Sequence, residues 1–111
     1  MAVLDRHQLL ELQALGYKPD KKPDITLEDI LCVLPSELYN NGNHANLTLT
    51  APDTHHIERW VCGYHSYNVK KMAHWYCEGE TPLDAAYALL KEFIMRYGTE
   101  QLINSSRHRT G

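Results

Sequence analysis

Between Leu83 and Tyr97 the apolar side chains fall at Leu83, Ala86, Tyr87, Leu90, Phe93, Ile94 and Tyr97, the three-and-four spacing of one helix face. The flanks agree with that reading. Thr81 can accept a hydrogen bond from the free amides of the first turn, and Pro82 occupies the first helical position, where its missing N–H costs nothing. Asp84 adds negative charge near the positive helix end, and Gly98 offers a residue that tolerates positive φ for the stop. Just before the cap, Trp75 to Glu78 is aromatic and strand-like, and Gly79 ends it. An apolar stripe on a helix must lie on something, and the aromatic strands that precede it are the nearest surface.

Two shorter helices are predicted upstream. Asp5-Arg6-His7-Gln8 has the form of a capping box, and Leu4 and Leu9 occupy the positions of a hydrophobic staple across it. Leu9, Leu12 and Leu15 supply the buried face, and Gly16 the stop. Tyr17 to Asp24, with two prolines and three lysines, is a solvated connector. Thr26 with Asp29 repeats the capping pattern, Ile25 and Ile30 fill the staple, and the helix runs through Leu34 to be ended by Pro35. Asn40 to Asn46 reads as a turn-rich segment.

Leu47-Thr48-Leu49-Thr50-Ala51 alternates with period two, the mark of a half-buried strand. Ile57 to Tyr67 and Lys70 to Glu78 are further strands, turning at Ser66-Tyr67-Asn68. The predicted fold is α+β: a three-stranded antiparallel meander, two N-terminal helices and a C-terminal helix packed on the sheet, in the order α-α-β-β-β-α. Residues 1–98 are expected to form one domain, and 99–111 a polar, partly disordered tail. Pairing Trp60 with Cys77, Cys62 with Trp75 and Tyr64 with Ala73 puts all six on one apolar face, joined by Leu47, Leu49 and Ala51. The opposite face then carries Val61, Gly63, His65, Met72, His74 and Tyr76. Periodicity leaves open whether the first two helices cover that face.

Composition narrows the function classes. Residues 1–55 carry four basic and eight acidic side chains, and residues 56–111 carry seven and six. Neither half has the Lys and Arg excess that phosphate binding needs, which disfavours a nucleic-acid partner. No apolar run approaches the ~20 residues that span a bilayer, and no apolar signal core opens the chain. With an odd count of three cysteines, the expectation is a cytoplasmic protein with reduced thiols.

Seven histidines make metal chemistry worth testing. Cys62-Gly63-Tyr64-His65 and His74-Trp75-Tyr76-Cys77 offer four nitrogen and sulfur ligands of the kind tetrahedral zinc takes. Yet residues i and i+3 of a regular strand point to opposite faces, so Cys62 and His65 do not converge on one ion. The ordinary reading buries Cys62 and Cys77 as small hydrophobes and leaves His65 and His74 at the surface. His55 and His56, with Asp53 and Glu58 nearby, form a loop cluster of the kind solvent usually covers. No nucleophile elbow, zinc-protease helix, phosphate loop or dinucleotide fingerprint is present, so no catalytic residue and no cofactor is assigned. Tyr17, Tyr39, Tyr67 and Tyr76 cannot all be placed in a core by pattern. If the second sheet face is open, Met72, His74, Tyr76 and His65 compose a contact patch of the kind interfaces favour.

Asp84-Ala85-Ala86-Tyr87-Ala88-Leu89-Leu90 resembles the final helix of double-stranded-RNA-binding domains. Glu78, Glu80 and Asp84 stand where that family aims lysines at phosphates, so the resemblance stops at topology. Gly79 to Ala86 looks like the strand-to-helix step of HicB-type antitoxins over about twenty residues. Across residues 25–98, the Thr26 to Pro35 helix, the aromatic strands and the Leu83 to Leu90 helix together resemble small phage and prophage proteins built as helix–sheet–helix sandwiches. That resemblance implies no activity and carries over no catalytic residues. The expected role is non-enzymatic protein–protein interaction or self-association through an aromatic sheet face, with zinc binding by Cys62, His65, His74 and Cys77 as the alternative.

Overall fold

A computed structural model of the chain describes residues 2–17, 24–40, 43–53, 58–66 and 75–102. Two short helices, α1 (Arg6–Ala14) and α2 (Leu27–Val33), precede four strands, β1 (Glu37–Asn40), β2 (Asn43–Thr50), β3 (Trp60–Ser66) and β4 (Trp75–Gly79). The long helix α3 (Pro82–Tyr97) and a 3-10 turn (Thr99–Gln101) follow.

Every helix starts where its local chemistry directs. Asp5 accepts from the Gln8 amide at 2.8 Å while the Gln8 side chain accepts from the Asp5 amide at 3.0 Å. Thr26 and Asp29 make the same reciprocal pair, at 3.2 and 2.9 Å. Thr81 Oγ1 accepts from the Asp84 amide at 3.0 Å, with Pro82 in the first turn. These bonds occupy amides that a helix start leaves without partners. At the far end of α3, Gly98 takes φ 79° and ψ 177°, a region open essentially to glycine, and its amide donates to the Ile94 carbonyl at 2.7 Å.

The sheet is an antiparallel meander in the order β1-β2-β3-β4, with four strands rather than the expected three. The extra strand is β1. Glu37 pairs with Asn46 and Asn40 with Asn43, which draws most of the expected Asn40–Asn46 turn into a hairpin. Asn41 and Gly42, between the paired positions, lie outside the described residues.

The β3–β4 register differs from the expected one by two residues. Trp60 pairs with Gly79, Cys62 with Cys77 and Tyr64 with Trp75. A slip of two preserves the faces, because side chains alternate with period two. Cys62, buried, Tyr64, buried, and the half-buried Cys77, Leu47 and Leu49 therefore share the helix-facing side as expected. Ala51 does not join them: it follows β2 and is exposed. Ser66, expected in a turn, ends β3, while Ala73 and the expected turn residues Tyr67 and Asn68 lie outside the described residues.

Helix α3 lies across β3 and β4 on this side, with α2 packed against it. The β4-to-α3 step is tight because Gly79 has no side chain: a β carbon there would stand 2.3 Å from the Ala85 amide nitrogen. Leu89, Leu90 and Phe93 of α3 meet Leu12, Ile30, Leu34, Cys62 and Tyr64 in one buried cluster. The Tyr64 ring stands 6.4 Å from that of Phe93, and its hydroxyl donates to the Pro35 carbonyl at 2.7 Å. A buried phenol is thereby satisfied, and the end of α2 is tied to β3.

Helix α1 joins the same side. Tyr87 of α3 donates to Glu11, Lys91 reaches the same carboxylate at 3.4 Å, and Gln8 reaches Asp84 at 3.5 Å. The Leu4 amide donates to the Ile25 carbonyl at 2.9 Å, so the entry to α1 is pinned to the entry to α2. Tyr17, expected to open a solvated connector, is instead buried in the core, because the chain leaving α1 at Gly16 turns its ring inward. After Gly98, Leu102 packs against that core. Among the described residues the three helices thus share one side of the sheet, and helices on both faces, as a helix–sheet–helix sandwich has them, are not seen.

Candidate functional site

The face of the sheet turned away from the helices is built by alternate residues of β2, β3 and β4. Cross-strand pairing sets Thr48, Gly63 and Tyr76 in one row over three strands. Along β3, Val61 and His65 flank Gly63 on the same face, and Thr50 stands opposite Val61. Glycine adds no side chain to that row, and a recess lies among its neighbours. The cavity measures about 330 Å³ and is lined by Thr48, Thr50, Val61, Tyr64, His65 and Tyr76.

Its chemistry is mixed. Tyr76 is 58% exposed, a large ring presented to solvent rather than packed. His65 is exposed, and Val61 and Thr48 are half-buried. Thr48 Oγ1 donates to the Gly63 carbonyl at 3.3 Å, which orients one wall of the recess. An aromatic ring, an imidazole, a valine and two hydroxyls can hold an apolar side chain and hydrogen-bond its surroundings.

Of the four residues expected at a contact patch, His65 and Tyr76 come together on this face. Met72 and His74 lie outside the described residues. Thr48, Thr50 and Val61, which share the lining with His65 and Tyr76, were placed in strands by the pattern but given no role.

The zinc arrangement does not assemble. Cys62 is fully buried on the helix side, directly across from Cys77, whereas His65 is exposed on the other face. His74 lies outside the described residues, and among those described no group of three His, Cys, Asp or Glu is placed to hold a metal ion. Burial, with the neighbouring Cys77 adding to it, pushes the Cys62 thiol up to about 12. Burial also raises Cys77, with Glu92 adding to the effect and Arg96 opposing it. Both shifts favour the protonated thiol, which makes each cysteine a poorer ligand and nucleophile. Of the loop cluster, Asp53 and Glu58 are exposed, and His55 and His56 lie outside the described residues. Among the described residues no helix is long and apolar enough to cross a membrane.

Comparison with protein-family models, with curated proteins and with solved structures finds no match to this chain.

Proposed function

We propose that this chain is a non-enzymatic interaction protein, of the phage or prophage type that residues 25–98 resemble, which docks a protein partner on its open sheet face in the cytoplasm. One observation carries the reading: Tyr76, 58% exposed, lines the recess it shares with Thr48, Val61 and His65 on the face away from the helices. A tyrosine contributes a large, stiff contact area at low entropy cost, and interface energy concentrates where such a ring borders a pocket. The recess suits one apolar side chain of a partner, with Thr48 and His65 at its rim. The reading needs no metal and no cofactor. Held and mobile phases decide it: immobilised wild-type protein should retain a discrete partner from its native lysate, and Tyr76→Ala should weaken that retention about tenfold or more. The variant should keep a cooperative thermal melt. Undiminished retention by folded Tyr76→Ala would remove the open face from the account.

A further inference from the structure

Strands β3 and β4 set Cys62 and Cys77 directly opposite each other, in the middle of an unbroken run of pairs from Trp60 with Gly79 to Tyr64 with Trp75. Both are free thiols on the helix-facing side, Cys62 fully buried and Cys77 half-buried against the core. Residues that face each other across antiparallel strands have α carbons about 4.5 to 5.5 Å apart, inside the range of about 4.4 to 6.8 Å that a disulfide spans. Their β carbons stand about 4.5 to 5.5 Å apart, against about 3.5 to 4.5 Å in a disulfide, so the pair closes with a shift on the order of 1 Å.

We propose that Cys62 and Cys77 form a reversible redox latch, a cross-strand disulfide that closes when the protein meets a small disulfide oxidant such as oxidised glutathione.

The burial of the two thiols sets the order of the steps. Cys77 is the one that an oxidant in solution reaches, and its sulfur attacks one sulfur of the oxidised glutathione. A mixed disulfide forms, and the glutathione thiolate that leaves takes the proton Cys77 gave up. Cys62 needs no solvent access for the second step, because its target is the Cys77 sulfur across the strand pair. Its attack forms the internal bond and expels the second glutathione, which takes the Cys62 proton. In all, two protein thiols lose two electrons and one small disulfide gains them. Burial that favours the protonated thiols makes the exchange slow. In a reducing compartment such a bond is transient, opened again by reduced thiols.

The latch ties β3 to β4 at the centre of their pairing and closes a loop running from Gly63 to Tyr76. A bond across such a loop removes freedom from the unfolded chain, so the oxidised protein is the more stable form. Tyr76, next to Cys77 in the chain, faces the other side of the sheet. The bond therefore fixes the strand that presents Tyr76 without entering the open face, and it stands independently of partner docking there.

Full-length Cys32→Ser protein keeps the pair and loses only an exposed thiol. It should be held in oxidised glutathione near pH 8 and read by intact mass under denaturing, non-reducing conditions. The expected product is a monomer two hydrogens lighter, with the Cys62 and Cys77 peptides joined after digestion and separated again by dithiothreitol. Its melting temperature should exceed that of the reduced form by about 5 °C or more. A glutathione adduct that persists on Cys77 overturns the proposal, since Cys62 is then not placed to resolve it. Unreacted thiols after a day, a chain-to-chain disulfide, or an internal bond that forms only in denaturant overturn it as well. So does a linked protein that melts at or below the reduced one, because the bond then distorts the sheet instead of fitting it. Cys62→Ala in the same background should trap the Cys77 adduct, and no adduct there contradicts the order of the steps. Should that core variant fail to fold, the Cys32→Ser protein decides alone.

Discussion

The Ala85 amide nitrogen lies 2.3 Å from where a β carbon on Gly79 would stand. Strand β4 and the first turn of α3 therefore close on each other through the absent side chain. The other near atoms are the Asp84 carbonyl carbon at 2.7 Å and its β carbon at 2.8 Å, so most of what a methyl would meet is backbone that cannot rotate away. We predict that Gly79→Ala destabilises the fold by about 3 kcal/mol or more, at the upper end of overpacking costs. Urea unfolding monitored by circular dichroism checks this, and a loss under about 1 kcal/mol would contradict the geometry.

Tyr87 and Glu11 predict a pH signature. The hydrogen bond from Tyr87 lowers the Glu11 pKa, with the Lys91 contacts adding to it and desolvation opposing. Burial, then the bond to Glu11, raises the Tyr87 pKa. A lowered carboxyl contributes stability above its unfolded value of 4.5, and that contribution is lost as pH falls through the lower folded value. A raised phenol contributes below its unfolded value of 10.0, and its contribution disappears as pH rises past it. Stability measured against pH should therefore differ between the wild type and Tyr87→Phe across the neutral range; the gap should narrow as pH falls below 4.5, and above pH 10 the wild type should lose stability relative to the variant. A difference that stays constant from acid to alkali would rule the tether out. Glu11 is solvent-exposed enough that added salt should narrow the gap.

Tyr64→Phe keeps the ring against Phe93 but leaves the Pro35 carbonyl without its donor. The expected loss is about 1 to 2 kcal/mol, the range for one buried hydrogen bond with its acceptor stranded. Equal stability of the two proteins in a denaturant titration would show that water replaces the hydroxyl.

The three thiols should react in a fixed order. Cys32 is exposed, Cys77 half-buried and Cys62 fully buried. Alkylation of native protein near pH 8, followed by peptide mass spectrometry, should label Cys32 first, Cys77 more slowly and Cys62 only on unfolding. Burial that holds the Cys62 thiol near 12 leaves very little thiolate to attack. Early labelling of Cys62 would mean that α3 lifts from the sheet in the native state.

Gly98→Ala isolates backbone strain from packing. No atom lies within 4 Å of a β carbon there, but φ 79° with ψ 177° disfavours any side chain. The cost should be about 1 to 3 kcal/mol, visible as a lower melting temperature with the fold intact.

How much of this was legible in the sequence depends on the range of the interaction. The three helix starts were readable at Asp5, Thr26 and Thr81 because each cap joins residues three apart and needs nothing beyond its own turn. The helix-facing side of the sheet was readable too, although the β3–β4 register was displaced by two, since an even slip leaves the alternation intact. Strand β1 was missed because four residues are too few to show a period. Its signal was the Asn41-Gly42 pair between Leu38-Tyr39-Asn40 and Asn43, a favoured hairpin dipeptide that read as part of a longer loop.

The sequence by itself determined the caps, the helix-facing strand positions and the stop at Gly98, all of them set by local hydrogen bonds or by side-chain alternation. Tertiary structure decided on which side α1 and α2 settle. An amphipathic helix states that it buries a face but not against what. Here that was settled by Tyr64 reaching Pro35 and Tyr87 reaching Glu11, contacts between residues 29 and 76 positions apart. Because those bonds hold both helices on the side of α3, the opposite face keeps Tyr76 in solvent and the recess it lines open.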